Sequence, residues 1–314
     1  MSKLAFIFPG QASQYSGMGK DFAEKFPVAR KTFEEADRAL GFKISQLCFE
    51  GPDEELQLTM NTQPAILTVS VAACRVLEEK GIRPDIVAGH SLGEYSALVA
   101  AEALSLTEAV RVVRKRGQYM QEAVPIGEGA MAAILGLPLD TIYQICADAR
   151  HDEECTAANI NSPSQVVISG AKGAVERAVQ LATQAGAKRA ILLNVSAPFH
   201  CRLMMPAAEL LEHDLMKMEF NDLKFPVVTN VDAERETTGL AARTSLIRQV
   251  ASPVLWEDSV RRMIGLGVNT FVEVGPGRVL SGLVKQIDRT CKILNVEDEK
   301  SLTATIEALG SVAR

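Results

Sequence analysis

With 314 residues, 47% hydrophobic and 23% charged, the chain reads as an ordinary globular protein with a large core, either one big domain or two modest ones. A net charge of −6 without a long basic run argues against a nucleic-acid partner. The six cysteines (Cys48, Cys74, Cys146, Cys155, Cys201, Cys291) are scattered without a C-x-x-C pair, so the expectation is reduced thiols rather than a disulfide or zinc framework. The apolar run before Pro9 is too short for a signal peptide and no stretch approaches a membrane span, which places the expected protein in the cytoplasm.

Leu4 to Phe8 is a compact apolar run closed by Pro9-Gly10, the pattern of a first buried strand. The loop that follows, to Gln14, lies where an α/β fold places binding groups. Helical periodicity follows at about 28–40 and 64–80, the second with Asn61-Thr62-Gln63-Pro64 read as a cap and a first-turn proline. Asp85 to Ala88 is then a short strand, followed by Gly89-His90-Ser91-Leu92-Gly93 and a helix of small residues. This is the G-x-S-x-G elbow, in which a strained strand-to-helix turn lifts a serine hydroxyl clear of the backbone. A Cβ at either glycine would crowd the turn, and the N–H groups of the helix start point toward any oxyanion formed on Ser91. Five letters alone are a weak signal; their position between a strand and a helix favours a nucleophile.

Ser105-Leu106-Thr107-Glu108 is a capping box that opens a helix to about Ala123. Its apolar stripe is Ala109, Val110, Val113, Met120 and Val124, and Arg116 falls within roughly 50° of the stripe's centre. An inward guanidinium needs a partner, because an unpaired buried charge is very costly. A structural ion pair is the plain explanation.

Residues 125–196 change character, running strand 129–136, helix 139–150, strand 155–160, strand 165–170, helix 174–185 and strand 188–194. This β-α-β-β-α-β order is the ferredoxin-like arrangement and reads as a small domain inserted into a larger one. Beyond it come a loop ending in His200, helices near 203–218 and 243–250, and strands 226–229, 268–274 and 293–296, before a last helix. Strands alternating with helices on both sides of the insertion predict one mostly parallel sheet. The predicted division is 1–124 with 197–314 as an α/β core, and 125–196 as the insertion.

A serine nucleophile calls for a histidine base. His90 adjoins Ser91 and should leave the turn in another direction, His151 lies in a charged run, and His213 sits on a polar helix stretch. His200, in an apolar loop downstream of the serine, is the remaining candidate. No carboxylate in 125–199 stands at a convincing strand end outside the inserted domain. A later residue or a backbone carbonyl must therefore orient the base.

Assembled, the residues closely resemble the malonyl-CoA:acyl carrier protein transacylases, relatives of the acyltransferase domains of polyketide synthases. The matching segments span almost the whole chain: FPGQASQ (8–14), NTQPAI (61–66), GHSLGE (89–94), RKRG (114–117), GAMAA (129–133), SAPFH (196–200), SPVLW (252–256) and FVEVGPG (271–277). The resemblance implies an α/β-hydrolase-like core and transfer of malonyl from malonyl-CoA to the phosphopantetheine thiol of holo acyl carrier protein in fatty acid synthesis. It implies Ser91 as the acylated nucleophile, His200 as its base, and Gln11 with the Leu92 N–H as the oxyanion hole. Arg116 would hold the malonyl carboxylate, and a backbone carbonyl near Gln249 would orient the histidine. Gln63, His90, Met131 and Asn159 match positions near the family's pocket, where packing is an equal alternative. Phe199 fits the malonyl-selective form of its loop. No metal, no resident cofactor, no membrane association and a monomer are expected. Family contacts with the carrier protein are basic surface groups; Lys188 and Arg189 could serve, although a solvated face explains them as well. A serine thioesterase on the same core, an acyltransferase serving polyketide synthesis, and a non-catalytic carrier-binding subunit are the alternatives.

Overall fold

The computed structural model describes residues 3–195 and 197–310. Its strands are β1 (Lys3–Phe8), β2 (Ile86–Gly89), β3 (Gly129–Leu135), β4 (Cys155–Ser162), β5 (Gln165–Ala171), β6 (Arg189–Leu192), β7 (Val227–Val228), β8 (Arg235–Glu236), β9 (Val268–Val274) and β10 (Lys292–Val296). They form a six-stranded sheet ordered β10-β9-β1-β2-β7-β8 and a four-stranded sheet ordered β4-β5-β3-β6. In the large sheet every pairing is parallel except the short β7–β8 hairpin.

β1 is central because both of its faces are apolar. Phe6 and Phe8 enter the core on one side of the sheet, whereas Ala5 and Ile7 enter the core on the other. That alternation is the two-residue period of a strand, and helices cover both faces as a parallel sheet requires. The α/β-hydrolase-like core expected from the sequence is therefore present.

The four-stranded sheet is antiparallel throughout and carries helices Leu139–Arg150 and Lys172–Gln184 over a third core. Numbered within the unit, its strand order is 2-3-1-4, the order of the ferredoxin-like fold. β4 also touches the large lobe, where Ile160 N–H donates to Val254 O (2.9 Å) and Val254 N–H donates to Ala158 O (2.8 Å). The small sheet can thus form one wall of a cleft.

Local signals misplace some boundaries. The helix read from 64 spans Thr59–Glu79, with Pro64 inside it and Leu58 in the cap position. A first-turn proline would start the helix at 64, but most side chains of this helix are buried, and packing sustains a turn that propensity would have ended. Helices Lys20–Lys25, Ile44–Glu50 and Asp53–Leu56 are too short to leave a clear period in the sequence. The strand expected at 226–229 shrinks to β7, and its partner β8 is an Arg-Glu pair with no strand propensity of its own. Ser105 caps helix Leu106–Glu122 as expected, accepting from Glu108 N–H at 3.2 Å.

Candidate active site

The elbow follows from steric exclusion. Ser91 adopts φ 51° and ψ −106°, a strained conformation for a residue with a side chain. A Cβ on Gly89 would lie 1.9 Å from the Gly93 carbonyl carbon, and one on Gly93 would lie 2.1 Å from Phe8 O. Only glycine allows β1, β2 and helix Leu92–Ala100 to meet this closely. Leu92 is the first residue of that helix, so its N–H has no intrahelical acceptor, and the residue lines the cavity beside Ser91.

His200, 3% exposed, approaches from the loop after the small lobe with φ 59°. Its Nε2 lies 2.7 Å from Ser91 Oγ and its Nδ1 lies 3.0 Å from Gln249 O. A carbonyl can only accept, so Nδ1 carries the proton and Nε2 is left to accept from the serine hydroxyl. Burial, reinforced by the nearby Arg116 charge, pushes the His200 pKa down to about 3. The imidazole is thus neutral in the free protein. The search for a carboxylate ends at a backbone carbonyl.

Arg116 is 1% exposed, on the inward face predicted for it. Nη1 donates to Gln63 Oε1 (2.9 Å), while Nη2 donates to Gln249 Oε1 (2.9 Å) and to Ser91 Oγ (3.0 Å). These acceptors are all uncharged. Among the described residues no carboxylate forms an ion pair with Arg116, so the structural-pair explanation finds no partner. Burial lowers its pKa from the usual range, and the guanidinium carbon lies 5.6 Å from the centre of the Tyr95 ring. A buried cation of this kind is suited to an incoming carboxylate.

These groups open onto a cavity of about 220 Å³ between the two lobes. Gln11, Gln63, His90, Ser91, Leu92, Arg116, Met131, Asn159, Phe199 and His200 all line it, whereas Gln249 stands behind Ser91. Gln11 Nε2 donates to Thr59 Oγ1 (3.2 Å). His90 does leave the turn away from His200, its Nε2 lying 2.8 Å from Asn161 Oδ1 of β4. His151 and His213 are exposed.

Sequence reasoning missed several residues at the site. Asn161 lies close to Asn159 on β4, and Val279, Leu280 and Leu283 of helix Val279–Ile287 add apolar lining to the cavity. Glu94 and Asn230 lie behind the elbow. Glu94 belongs to the GHSLGE segment and could have been questioned as a charge on a helix of small residues; Asn230 gives no sequence signal.

A strained serine held by a neutral histidine, with a buried cation in reach of the same oxygen, is the apparatus of covalent acyl transfer, and the protein is an acyltransferase. Residues 5–309 match the acyl transferase domain family. The malonyl CoA-acyl carrier protein transacylase of Bacillus subtilis is 51% identical over 310 residues, covering 98% of each chain. A crystal structure of an acyl carrier protein S-malonyltransferase from Vibrio cholerae superposes with a TM-score of 0.95 at 49% identity, covering 97% of this chain and 100% of that one. A malonyl-transacylase in complex with its type II PKS acyl-carrier protein superposes equally well (TM-score 0.95, 48% identity, 98% of this chain and 100% of that one). The chain belongs to the acyl transferase family, among its malonyl CoA-acyl carrier protein transacylases.

Proposed function

We propose that this protein transfers the malonyl group of malonyl-CoA to the phosphopantetheine thiol of an acyl carrier protein, supplying fatty acid synthesis. The carrying observation is the convergence of His200 Nε2 and Arg116 Nη2 on one serine oxygen, with no carboxylate paired to the arginine.

In the first half-reaction the malonyl carboxylate binds Arg116. His200 Nε2 takes the Ser91 proton as Oγ attacks the thioester carbonyl. The tetrahedral oxyanion is stabilised by the Leu92 N–H and by Gln11. Its collapse expels the CoA thiolate, which takes the proton back from His200. In the second half the carrier's thiol gives its proton to His200 and attacks the malonyl-serine ester, and Ser91 Oγ leaves and is reprotonated. Gln249 O holds the imidazolium N–H throughout. Gln63 holds the far arm of Arg116, and His90, Met131, Asn159 and Phe199 shape the acyl pocket.

The division into a core (1–124 with 197–314) and an inserted lobe (125–196) fits a reaction that must exclude water from the ester, because the cavity lies between the two sheets. Among the described residues no helix is long and apolar enough to cross a membrane, and a cytoplasmic location suits a pathway whose substrates are CoA and carrier thioesters. The chemistry draws on side chains and main chain alone, with malonyl-CoA as substrate rather than cofactor.

Intact-protein mass after brief exposure to malonyl-CoA, followed by holo carrier protein, tests this reading. A malonyl adduct on the wild type that passes to the carrier and is absent from Ser91→Ala supports it. An adduct that decays to malonate and ignores the carrier would make the protein a hydrolase, and no adduct at all would remove the nucleophile assignment.

A further inference from the structure

Glu94 is 1% exposed in the first turn of helix Leu92–Ala100, directly behind the elbow. Its Oε2 accepts from two donors, Gln249 Nε2 (2.9 Å) and Asn230 N–H (2.9 Å). Both donor residues reach the reacting groups. Gln249 Oε1 accepts from Arg116 and its backbone carbonyl from His200. Asn230 Oδ1 accepts from Ser91 N–H (2.6 Å), and its Nδ2 donates to Gly89 O (2.7 Å), gripping the elbow on both sides of His90.

We infer that Glu94 is a positioning residue for the transfer reaction, the acceptor that sets the orientation of Gln249 and, through it, of Arg116. A carboxamide has one donor end and one acceptor end. Gln249 can aim its oxygen at Arg116 only while its NH₂ faces acceptors, and those are Glu94 Oε2 (2.9 Å), Ser91 O (3.0 Å) and, at a longer 3.4 Å, Asn230 Oδ1. Flipped, the amide would set N–H against the guanidinium N–H. Gln249 is fully buried, so water cannot repair that mismatch. What the site requires of position 94 is an acceptor oxygen at the Oε2 location. A negative charge is not required there.

This inference rests on the malonyl-transfer reading, and the test separates the two. Wild type, Glu94→Gln and Glu94→Leu are compared for malonyl-adduct formation from malonyl-CoA, for acylation by p-nitrophenyl acetate (a neutral ester with no carboxylate for Arg116), and for thermal melting. Glu94→Gln keeps an acceptor and should stay within about threefold of wild type on both acyl donors. Glu94→Leu should lose about thirtyfold or more on malonyl-CoA and only a few-fold on the neutral ester, the scale expected when a binding group is misplaced by about an ångström. Equal losses on the two donors, unchanged malonyl loading in Glu94→Leu, or damage in Glu94→Gln matching that in Glu94→Leu would each overturn the inference. Should Glu94→Leu fail to fold, Gln249→Met, which keeps the backbone carbonyl for His200, should show the same malonyl-selective loss, and equal losses there would also overturn it. Absence of a malonyl adduct on the wild type would defeat the transferase reading itself.

Discussion

Arg116 Nη2 donates a hydrogen bond to Ser91 Oγ across 3.0 Å, so in the free protein the proposed carboxylate-binding cation also holds the proposed nucleophile. The same cation helps hold down the basicity of His200. An arriving malonyl carboxylate would offer Arg116 a stronger acceptor than the serine hydroxyl and offset its charge. One binding event would thereby release the nucleophile and strengthen its base.

Arg116→Ala should therefore lower the rate of malonyl-adduct formation by roughly a hundredfold or more, the cost of a charge-assisted bidentate contact. Acylation by a neutral ester should be retained. Arg116→Lys should recover little, because an ammonium cannot reproduce the planar fork. Adduct formation followed by mass spectrometry with both acyl donors checks the contrast, and an equal loss on both would count against the carboxylate role.

The pH response follows from His200, whose pKa lies near 3 against an unfolded value near 6.5. The His200 imidazole, the proposed base, stays neutral well below pH 6.5, so acylation of Ser91 by p-nitrophenyl acetate should be nearly level from pH 8 to pH 5. A limb centred near 6.5 would contradict this. For stability the sign is fixed too. Between about 6.5 and 3 the unfolded chain binds a proton that the folded chain does not, so His200 makes the fold less stable on acidification through that window.

Glu94 acts in the opposite sense. Burial raises its pKa from 4.5 to about 7. Its contribution to stability is complete below about 4.5 and is lost as pH rises through 7. Glu94→Gln removes this titration, so the variant should gain on wild type between pH 5 and pH 8 by on the order of 3 kcal/mol at most, at about 1.4 kcal/mol per pKa unit. Urea midpoints of both proteins at the two pH values measure the difference, and an unchanged gap would show that the carboxylate does not titrate there.

Gly89→Ala and Gly93→Ala should each prevent a native elbow, since the new Cβ would lie 1.9 and 2.1 Å from backbone atoms that belong to other elements. The expected losses, about 3–5 kcal/mol of stability with Ser91 no longer acylated, exceed those of an ordinary surface substitution. Denaturant unfolding with adduct mass checks both. Native acylation in either variant would refute the steric account.

Phe199, 7% exposed, lines the acyl cavity beside His200. Phe199→Ala should open room beside the malonyl α-carbon and raise the methylmalonyl-to-malonyl loading ratio by roughly tenfold, about the effect of one methyl group in a fitted pocket. Competition between the two CoA esters gives the ratio directly. No change would place the selectivity elsewhere in the lining.

Features carried by local chemistry were readable from the chain alone. The apolar run of β1, the glycine spacing around Ser91, the period that turns Arg116 inward and the β-α-β-β-α-β order each depend on residues close in sequence, where side-chain period and backbone sterics act. Histidine elimination also reached His200 without coordinates. Tertiary structure alone settled how these parts meet. Gln249 reaches Ser91 across 158 residues and Asn230 reaches it across 139, through polar bonds that leave no periodic trace. Pro64 remains inside a helix because packing outweighs its propensity, and β8 exists because β7 offers it an edge. Backbone groups have no residue-specific signature, so the carbonyl that orients His200, standing where a hydrolase would use a carboxylate, became identifiable only once the chain had brought it there.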